Sequence, residues 1–263
     1  MKYGINIIVS HPASPPVAEQ IAIYAKAGFD AFFLGSGITE SYENIPKWAA
    51  LAKGYGIRLS AVHIPLKFKG CDMDDLWRGY AAGERYRNEV KKLLDLCALG
   101  KVDKVILHVA HKIPAPAPSE EGLRSFRELE DYAKAREVQI CYENCKHSEH
   151  LAAVMEGADP YHGFCYDSGH HHCYTPKEDL LGLYGARLAF THFHDNLGHW
   201  EDLHLLPGEG TFDWSTVKKY LKNYTGTVHL ELSCTYRAPY RAMKFEEFAA
   251  LAYARAKELK EKL

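Results

Sequence analysis

The sequence predicts an α/β fold, a single (β/α)₈ TIM barrel, on three observations. Short apolar runs rich in Ile, Val, Phe and Tyr alternate with segments whose apolar residues recur at three-to-four spacing. This alternation repeats eight times in 263 residues. No linker, low-complexity tract or compositional break interrupts it, so 1–263 reads as one domain. Alternating strand and helix implies a parallel sheet with helices outside, and eight such units close a barrel. An open doubly wound sheet satisfies the same alternation. However, the turn after the first strand, His11-Pro12-Ala13-Ser14-Pro15-Pro16, lacks the glycine-rich dinucleotide pattern such a sheet carries there.

The elements follow in order. The run Tyr3–Ser10 stops at that Pro-rich turn, and Val17–Gly28 has helical spacing. Ala31–Gly35 is the second strand, followed by a helix over Tyr42–Lys53. Arg58–Pro65 precedes a long amphipathic helix expected over Leu76–Leu99, its charged residues forming an ordinary outer face. Lys104–Val109 runs into the stiff loop Ile113–Pro118 and a helix over Leu123–Arg136. Val138–Asn144 is followed by Leu151–Glu156, and Gly163–Ser168 by Leu180–Tyr184. Leu188–Asp195 and the helix Trp214–Tyr224 come next. Thr227–Ser233 and Phe245–Leu259 complete the eight units.

Composition excludes several function classes. With 32 Lys+Arg against 34 Asp+Glu the net charge is −2, so no global field attracts a polyanion, and a nucleic-acid partner is not expected. No stretch nears the roughly 18–20 apolar residues a bilayer span needs. Met1–Ser10 lacks the pattern of a signal peptide. Seven scattered cysteines read as reduced thiols, which places the chain in the cytoplasm. The 15 histidines stand out, since His is the commonest metal ligand.

The active site of such a barrel lies at the C-terminal ends of its strands. Strands three to eight end with His63, His108, Glu143, Asp167, His192 and Glu231, each in or just after an apolar run where a lone charge is costly. A single such residue is ordinary; its convergence with five others is not. Three carboxylates and three imidazoles around one mouth repel or stay protonated unless a cation joins them. The mixed N/O set suits Mn²⁺, Zn²⁺, Fe²⁺ or Co²⁺. No organic cofactor is expected.

These strand ends resemble the xylose isomerase-like barrel superfamily, which includes sugar isomerases and epimerases and the endonuclease IV family. Asp167-Ser168-Gly169-His170 is similar to its Asp-x-x-His, and His192-Phe193-His194-Asp195 to its His-x-x-Asp. His204-Leu205-Leu206-Pro207-Gly208-Glu209-Gly210 resembles the loop after strand seven. The resemblance implies a metal site of Glu143, Asp167, His192 and Glu231 in a sugar isomerase or epimerase. Glu143 and Glu231 would double as acid and base through a metal-bound enediolate. His170, with His63, His108 and His204, would bind substrate oxygens. His194 is expected off the ligand face. The implied partner is a small carbohydrate, and the implied assembly a homodimer or homotetramer.

A second mapping stays open. Relatives of the endonuclease IV type hold three zinc ions with nine ligands. Matching residue types stand here at His63, His108, Glu143, Asp167, His170, His192, Asp202, His204 and Glu231. That set implies a multinuclear phosphodiesterase or phosphoesterase. The continuations His171-His172-Cys173-Tyr174 and His194-Asp195-Asn196-Leu197-Gly198 depart from it toward sugar isomerase-like proteins. Cys141 and Cys145 read as buried thiols. His171 and His172 read as loop residues, and His147, His150, His162 and His199 as surface histidines. Lys146 could reach an anionic group on the substrate, and Trp200 could stack on a sugar face.

Overall fold

The computed structural model describes residues 1–222 and 224–262. Eight parallel strands form one sheet: β1 Lys2–Asn6, β2 Ala31–Leu34, β3 Arg58–His63, β4 Lys104–His108, β5 Gln139–Glu143, β6 Gly163–Asp167, β7 Leu188–His192 and β8 Thr227–Leu230. The hydrogen-bonded order is β8-β1-β2-β3-β4-β5-β6-β7. The barrel closes just past β7, where the Phe193 amide donates to the His229 carbonyl (2.8 Å) and the Glu231 amide to that of Phe193 (3.2 Å).

Among the described residues the helices are α1 Val17–Ala27, α2 Ile45–Gly54, α3 Glu84–Leu99, α4 Glu120–Lys134, α5 Ser148–Gly157, α6 Ser168–Tyr174, α7 Leu180–Tyr184, α8 Ser215–Leu221, α9 Ala238–Ala242 and α10 Phe245–Lys262. None is long and apolar enough to cross a membrane. Helix α3 begins later than the expected Leu76. The Asp72 carboxylate accepts from the Asp74 amide while that of Asp75 accepts from the Asp72 amide, which winds Met73–Leu76 into a tight 3₁₀ turn. Gly79 then takes φ +130°, a conformation that ends helical winding. Short pieces fill the remaining loops: a hairpin, Lys67–Phe68 with Cys71–Asp72, and α9, neither of which has a sequence period long enough to read.

Two apolar layers hold the barrel. The larger lies between strands and helices and includes Ile5, Tyr24, Phe32, Val62, Tyr86, Tyr142, Phe164 and Phe248. The smaller plugs the barrel interior: Phe33, Ala61, Ile106, Cys141, Cys165 and Phe190. Side chains alternate along a strand, so residues two further on face the same interior, one layer nearer the C-terminal mouth. Those residues are His63, His108, Glu143, Asp167 and His192. The plug therefore sets the floor of the site, and strand register lifts the polar groups onto it.

Candidate metal centre

Glu143 is the hub of the mouth and is fully buried. One oxygen, Oε1, lies 2.7 Å from His192 Nδ1. The other, Oε2, faces His63 Nε2 at 3.0 Å and His108 Nε2 at 2.9 Å. The same His192 nitrogen is 3.4 Å from Glu231 Oε2 and 3.9 Å from Asp167 Oδ2. Glu143, Asp167, His192 and Glu231 thus converge, as the strand-end pattern predicts. A second cluster stands at the rim. Asp202 Oδ2 meets His170 Nε2 at 3.1 Å and His204 Nε2 at 3.2 Å.

Each position has a local cause. Asp167 caps α6 by accepting the His170 amide at 2.6 Å, which ties His170 to the end of β6. Asn144 pairs with Asp167 through its backbone, donating to the carbonyl and accepting from the amide. Asn196 accepts from the Leu203 amide and donates to Asp202 Oδ1, fixing the Asp202-Leu203-His204 turn. The Asp195 carboxylate turns away from the mouth. It accepts the amides of Gly208 and Phe212 and the indole N–H of Trp214, so it anchors the loop rather than the chemistry.

The ring orientations fit a divalent metal. His63 Nδ1–H donates to the Ile64 carbonyl, His170 Nδ1–H to that of Asn144, and His204 Nδ1–H to that of Glu231. Each bond fixes the tautomer and leaves Nε2 facing a carboxylate, the arrangement typical of metal-ligating histidines. At His192, one ring nitrogen lies within 4 Å of three carboxylates, more than one proton can serve.

The charges are strongly coupled. Burial opposes a charged His108, yet the Glu143 carboxylate beside it prevails and pushes it up to about 10. Burial likewise works against His204, and Asp202 carries it up to about 10. Burial also opposes the carboxylates, but the imidazoles of His192 and His108 hold Glu143 well below the usual range, and those of His204 and His170 do so for Asp202.

Three sequence expectations need correction. His194 is on the ligand face, because it lies two residues past His192. Its Nε2 is 3.0 Å from Asp167 Oδ1, and its ring stacks on His204 at 4.0 Å. His171 and His172 lie on α6, not in a loop. His171 Nδ1 meets the Tyr166 hydroxyl at 2.6 Å, away from the mouth. His150 and His162 are buried, at 2% and 1% exposure, not at the surface. Cys145, two residues past Glu143, reaches the mouth. Burial raises its thiol, but His170 and His108 hold it below the usual value. The i+2 step from a barrel-interior residue is the signal that finds both His194 and Cys145.

The outer wall is aromatic. Tyr174 leans on His170 with centroids 5.8 Å apart, Trp200 on Tyr174 at 5.1 Å, and the Lys146 ammonium sits 5.2 Å from the Tyr174 ring centre. A cavity of about 640 Å³ lies beside this wall, lined by Tyr174, Thr175, Leu197, His199 and Trp200. None of the converging donors lines it.

Residues 21–253 match the family described as xylose isomerase-like TIM barrel. The uncharacterized protein y4fM of Sinorhizobium fredii (strain NBRC 101917 / NGR234) is 32% identical over 194 residues, 64% of this chain, and the chain spans 62% of that relative's length. Among solved structures, D-psicose 3-epimerase with D-tagatose from Clostridium cellulolyticum H10 has a TM-score of 0.80 at 17% identity, covering 100% of this chain and 99% of that one. A D-tagatose 3-epimerase-like protein has a TM-score of 0.75 at 20% identity, covering 99% and 97%. The D-allulose 3-epimerase from Methylomonas sp. in complex with D-allulose has a TM-score of 0.73 at 15% identity, covering 100% and 97%. At such identities the likeness is one of fold.

Proposed function

The chain belongs to the xylose isomerase-like TIM-barrel family, and from that premise we propose that it is a divalent-metal-dependent isomerase or epimerase of a sugar or sugar derivative. The observation that carries the reading is the placement of Glu143 and Glu231. Their carboxylates come from strands separated by two others and flank one nitrogen of His192, at 2.7 and 3.4 Å. Two carboxylates brought this close from different strands have the reach to serve one reacting carbon from two sides. The epimerases that share the fold support the substrate class.

Glu143, Asp167, His192 and Glu231 would hold the ion, Mn²⁺, Zn²⁺, Co²⁺ or Fe²⁺ by donor chemistry. When bound it supplies Lewis acidity toward a ketose carbonyl and the hydroxyl beside it. One glutamate takes the proton from the carbon next to the carbonyl, leaving an enediolate. The other returns a proton, to the opposite face of that carbon in an epimerase or, in an isomerase, to the neighbouring carbon while the hydroxyl proton passes to the former carbonyl oxygen. His63 and His108, both against Glu143 Oε2, aim that carboxylate. They and the rim histidines His170 and His204 bind substrate oxygens. Tyr174 and Trp200 offer the sugar an apolar face, with Lys146 beside them for an anionic substituent. The small carbohydrate is the partner in this reading. A homodimer or homotetramer accompanies it, as does a cytoplasmic location in keeping with seven free thiols.

One observation favours a second reading. His63, His108 and Glu143 form one buried donor set, and His170, Asp202 and His204 another. With Glu143, His192 and the Cys165 thiol below them as a third set, these make three groups at one mouth, as a multinuclear phosphodiesterase or phosphoesterase needs.

The test is to incubate the metal-loaded protein with ketoses and their phosphates in D₂O. Carbon-bound deuterium appearing beside the carbonyl supports proton transfer. Absence of exchange together with cleavage of phosphodiesters would sink it in favour of the second reading.

A further inference from the structure

We propose a second divalent-cation site outside the mouth, formed by His147, Glu149 and His150 where α5 begins. It would take a borderline first-row ion such as Zn²⁺ and pin the loop after β4 to the start of α5.

The argument begins with ring orientation. His147 Nε2–H donates to the Lys112 carbonyl at 2.7 Å, and His150 Nε2–H to the Pro116 carbonyl at 2.7 Å. Both tautomers are thereby fixed, with Nδ1 as the lone-pair nitrogen. Both Nδ1 atoms then face the same carboxylate oxygen, Glu149 Oε1, at 3.6 Å for His147 and 3.2 Å for His150. Two imidazole lone pairs aimed at an anionic oxygen repel it unless a proton or a metal cation lies among them.

The second observation concerns burial. His150 is 2% exposed, and its Nδ1 has no hydrogen-bond partner among the described residues. A buried ring nitrogen without a hydrogen bond carries a desolvation cost, which a metal bond would remove. Carbonyls on the far nitrogens are the support that ligating histidines have elsewhere. The mouth histidines His63, His170 and His204 have that same support from the opposite nitrogen.

The spacing also fits. A tetrahedral ion with bonds of about 2.0–2.1 Å sets its ligands roughly 3.4 Å apart, and the two observed separations bracket that value. Two imidazoles and one carboxylate suit Zn²⁺ among the divalent ions. The Glu149 side chain is 62% exposed, so the fourth position opens to water. The site is independent of the mouth. None of its three side chains makes a hydrogen bond or ion pair with Glu143, Asp167, His192 or Glu231 among the described residues.

The role follows from what the histidines hold. Lys112 and Pro116 belong to the Pro-rich loop after β4, and α5 follows the end of β5 that carries Glu143. An ion here locks two neighbouring mouth loops together without touching substrate.

The test uses the full untagged chain, dialysed against micromolar Zn²⁺ and then freed of excess. Zinc per chain is counted in wild type, Glu149→Gln and His147→Gln, with circular dichroism confirming that each is folded. Each variant is expected to hold one ion fewer than wild type. A zinc-edge anomalous peak is expected in wild-type crystals between His147 Nδ1, Glu149 Oε1 and His150 Nδ1. An unchanged count in both variants, or zinc peaks confined to the mouth, overturns the assignment. Since the deuterium exchange above does not involve these residues, failure here leaves the proposed activity standing.

Discussion

Glu143 serves four imidazole neighbours with two oxygens. Oε1 lies against His192 and Oε2 against His63 and His108, while His170 Nδ1 is 3.5 Å from Oε1. Such a residue is sensitive to loss of charge alone. Glu143→Gln and Glu231→Gln keep shape and volume, so each is expected to fold yet lose about 10²–10⁴-fold or more in turnover, the usual share of a general acid or base. Deuterium exchange and circular dichroism on the same samples check this, and a variant at wild-type rate would remove that glutamate from the chemistry. His63→Ala and His108→Ala separate the two functional readings. A one-ion isomerase keeps its metal in both, whereas a multinuclear site loses at least one ion, read by elemental analysis. The i+2 rule explains which of these residues could be read from sequence. His63, His108, Glu143, Asp167 and His192 each follow an apolar interior residue by two positions. His147 and His150 follow no strand period, and nothing in their neighbourhood of sequence points to the carbonyls of Lys112 and Pro116.

At the scale of elements, loops determine whether the strand ends meet. The segment after β7 is held by Asp195, whose carboxylate satisfies the Gly208, Phe212 and Trp214 donors from a nearly fully buried position. Asp195→Ala leaves those donors without an acceptor, at about 1–3 kcal/mol each. It is expected to lower the melting temperature and to displace Asp202 and His204 together, so that in the multinuclear reading the rim ion is lost. Gly169 on α6 passes within contact of His194, where an added Cβ would lie 1.9 Å from the ring. Gly169→Ala is therefore expected to cost about 1–3 kcal/mol from overpacking and to displace His194 from Asp167, seen as lost metal affinity. His162 joins three elements: its Nδ1 accepts the Ile140 amide on β5, its Nε2–H donates to the Glu130 carbonyl on α4, and its own carbonyl accepts from Arg187. Burial lowers it from 6.5 to about 4. Between those pH values the unfolded chain binds the proton that the native chain refuses, so stability falls as pH drops from about 6.5 to 4. Burial also lowers His229, His171 and His172, so a denaturation series across that range is expected to show the slope in wild type and a shallower one in His162→Gln.

For the whole molecule the mouth couples folding, protonation and metal. The carboxylates push His108 and His204 up to about 10, so both carry protons at neutral pH when no ion competes. In the multinuclear reading both are ligands, and ligation needs the neutral imidazole, so loading metal at pH 7 is then expected to release their protons, measurable as a buffer-dependent heat of binding. A heat independent of buffer would mean that the ions do not use these histidines. Their raised values also add native stability that is fully present below about 6.5 and is lost as pH rises through about 10. A metal at a hundred times its Kd adds about 2.7 kcal/mol, and chelation is expected to lower the melting temperature correspondingly.

Strand order and the residue type at each strand end were legible from the chain alone, because alternating apolar periods and i+2 steps are local properties. Barrel closure makes six strand ends neighbours, and no other arrangement of the same strands would. Four matters needed the folded form. The late start of α3 follows from a 3₁₀ turn that Asp72 and Asp75 cap and from Gly79 at φ +130°. The ring orientations of His170 and His204 are set by the carbonyls of Asn144 and Glu231, far away in sequence. Asp195 turned out to be an anchor of its loop, and His147 and His150 to be a pair. Each rests on a hydrogen bond between groups that periodicity does not relate. A pattern of side chains shows which face is buried, whereas the partner of a polar atom depends on which backbone group the packed chain brings to it.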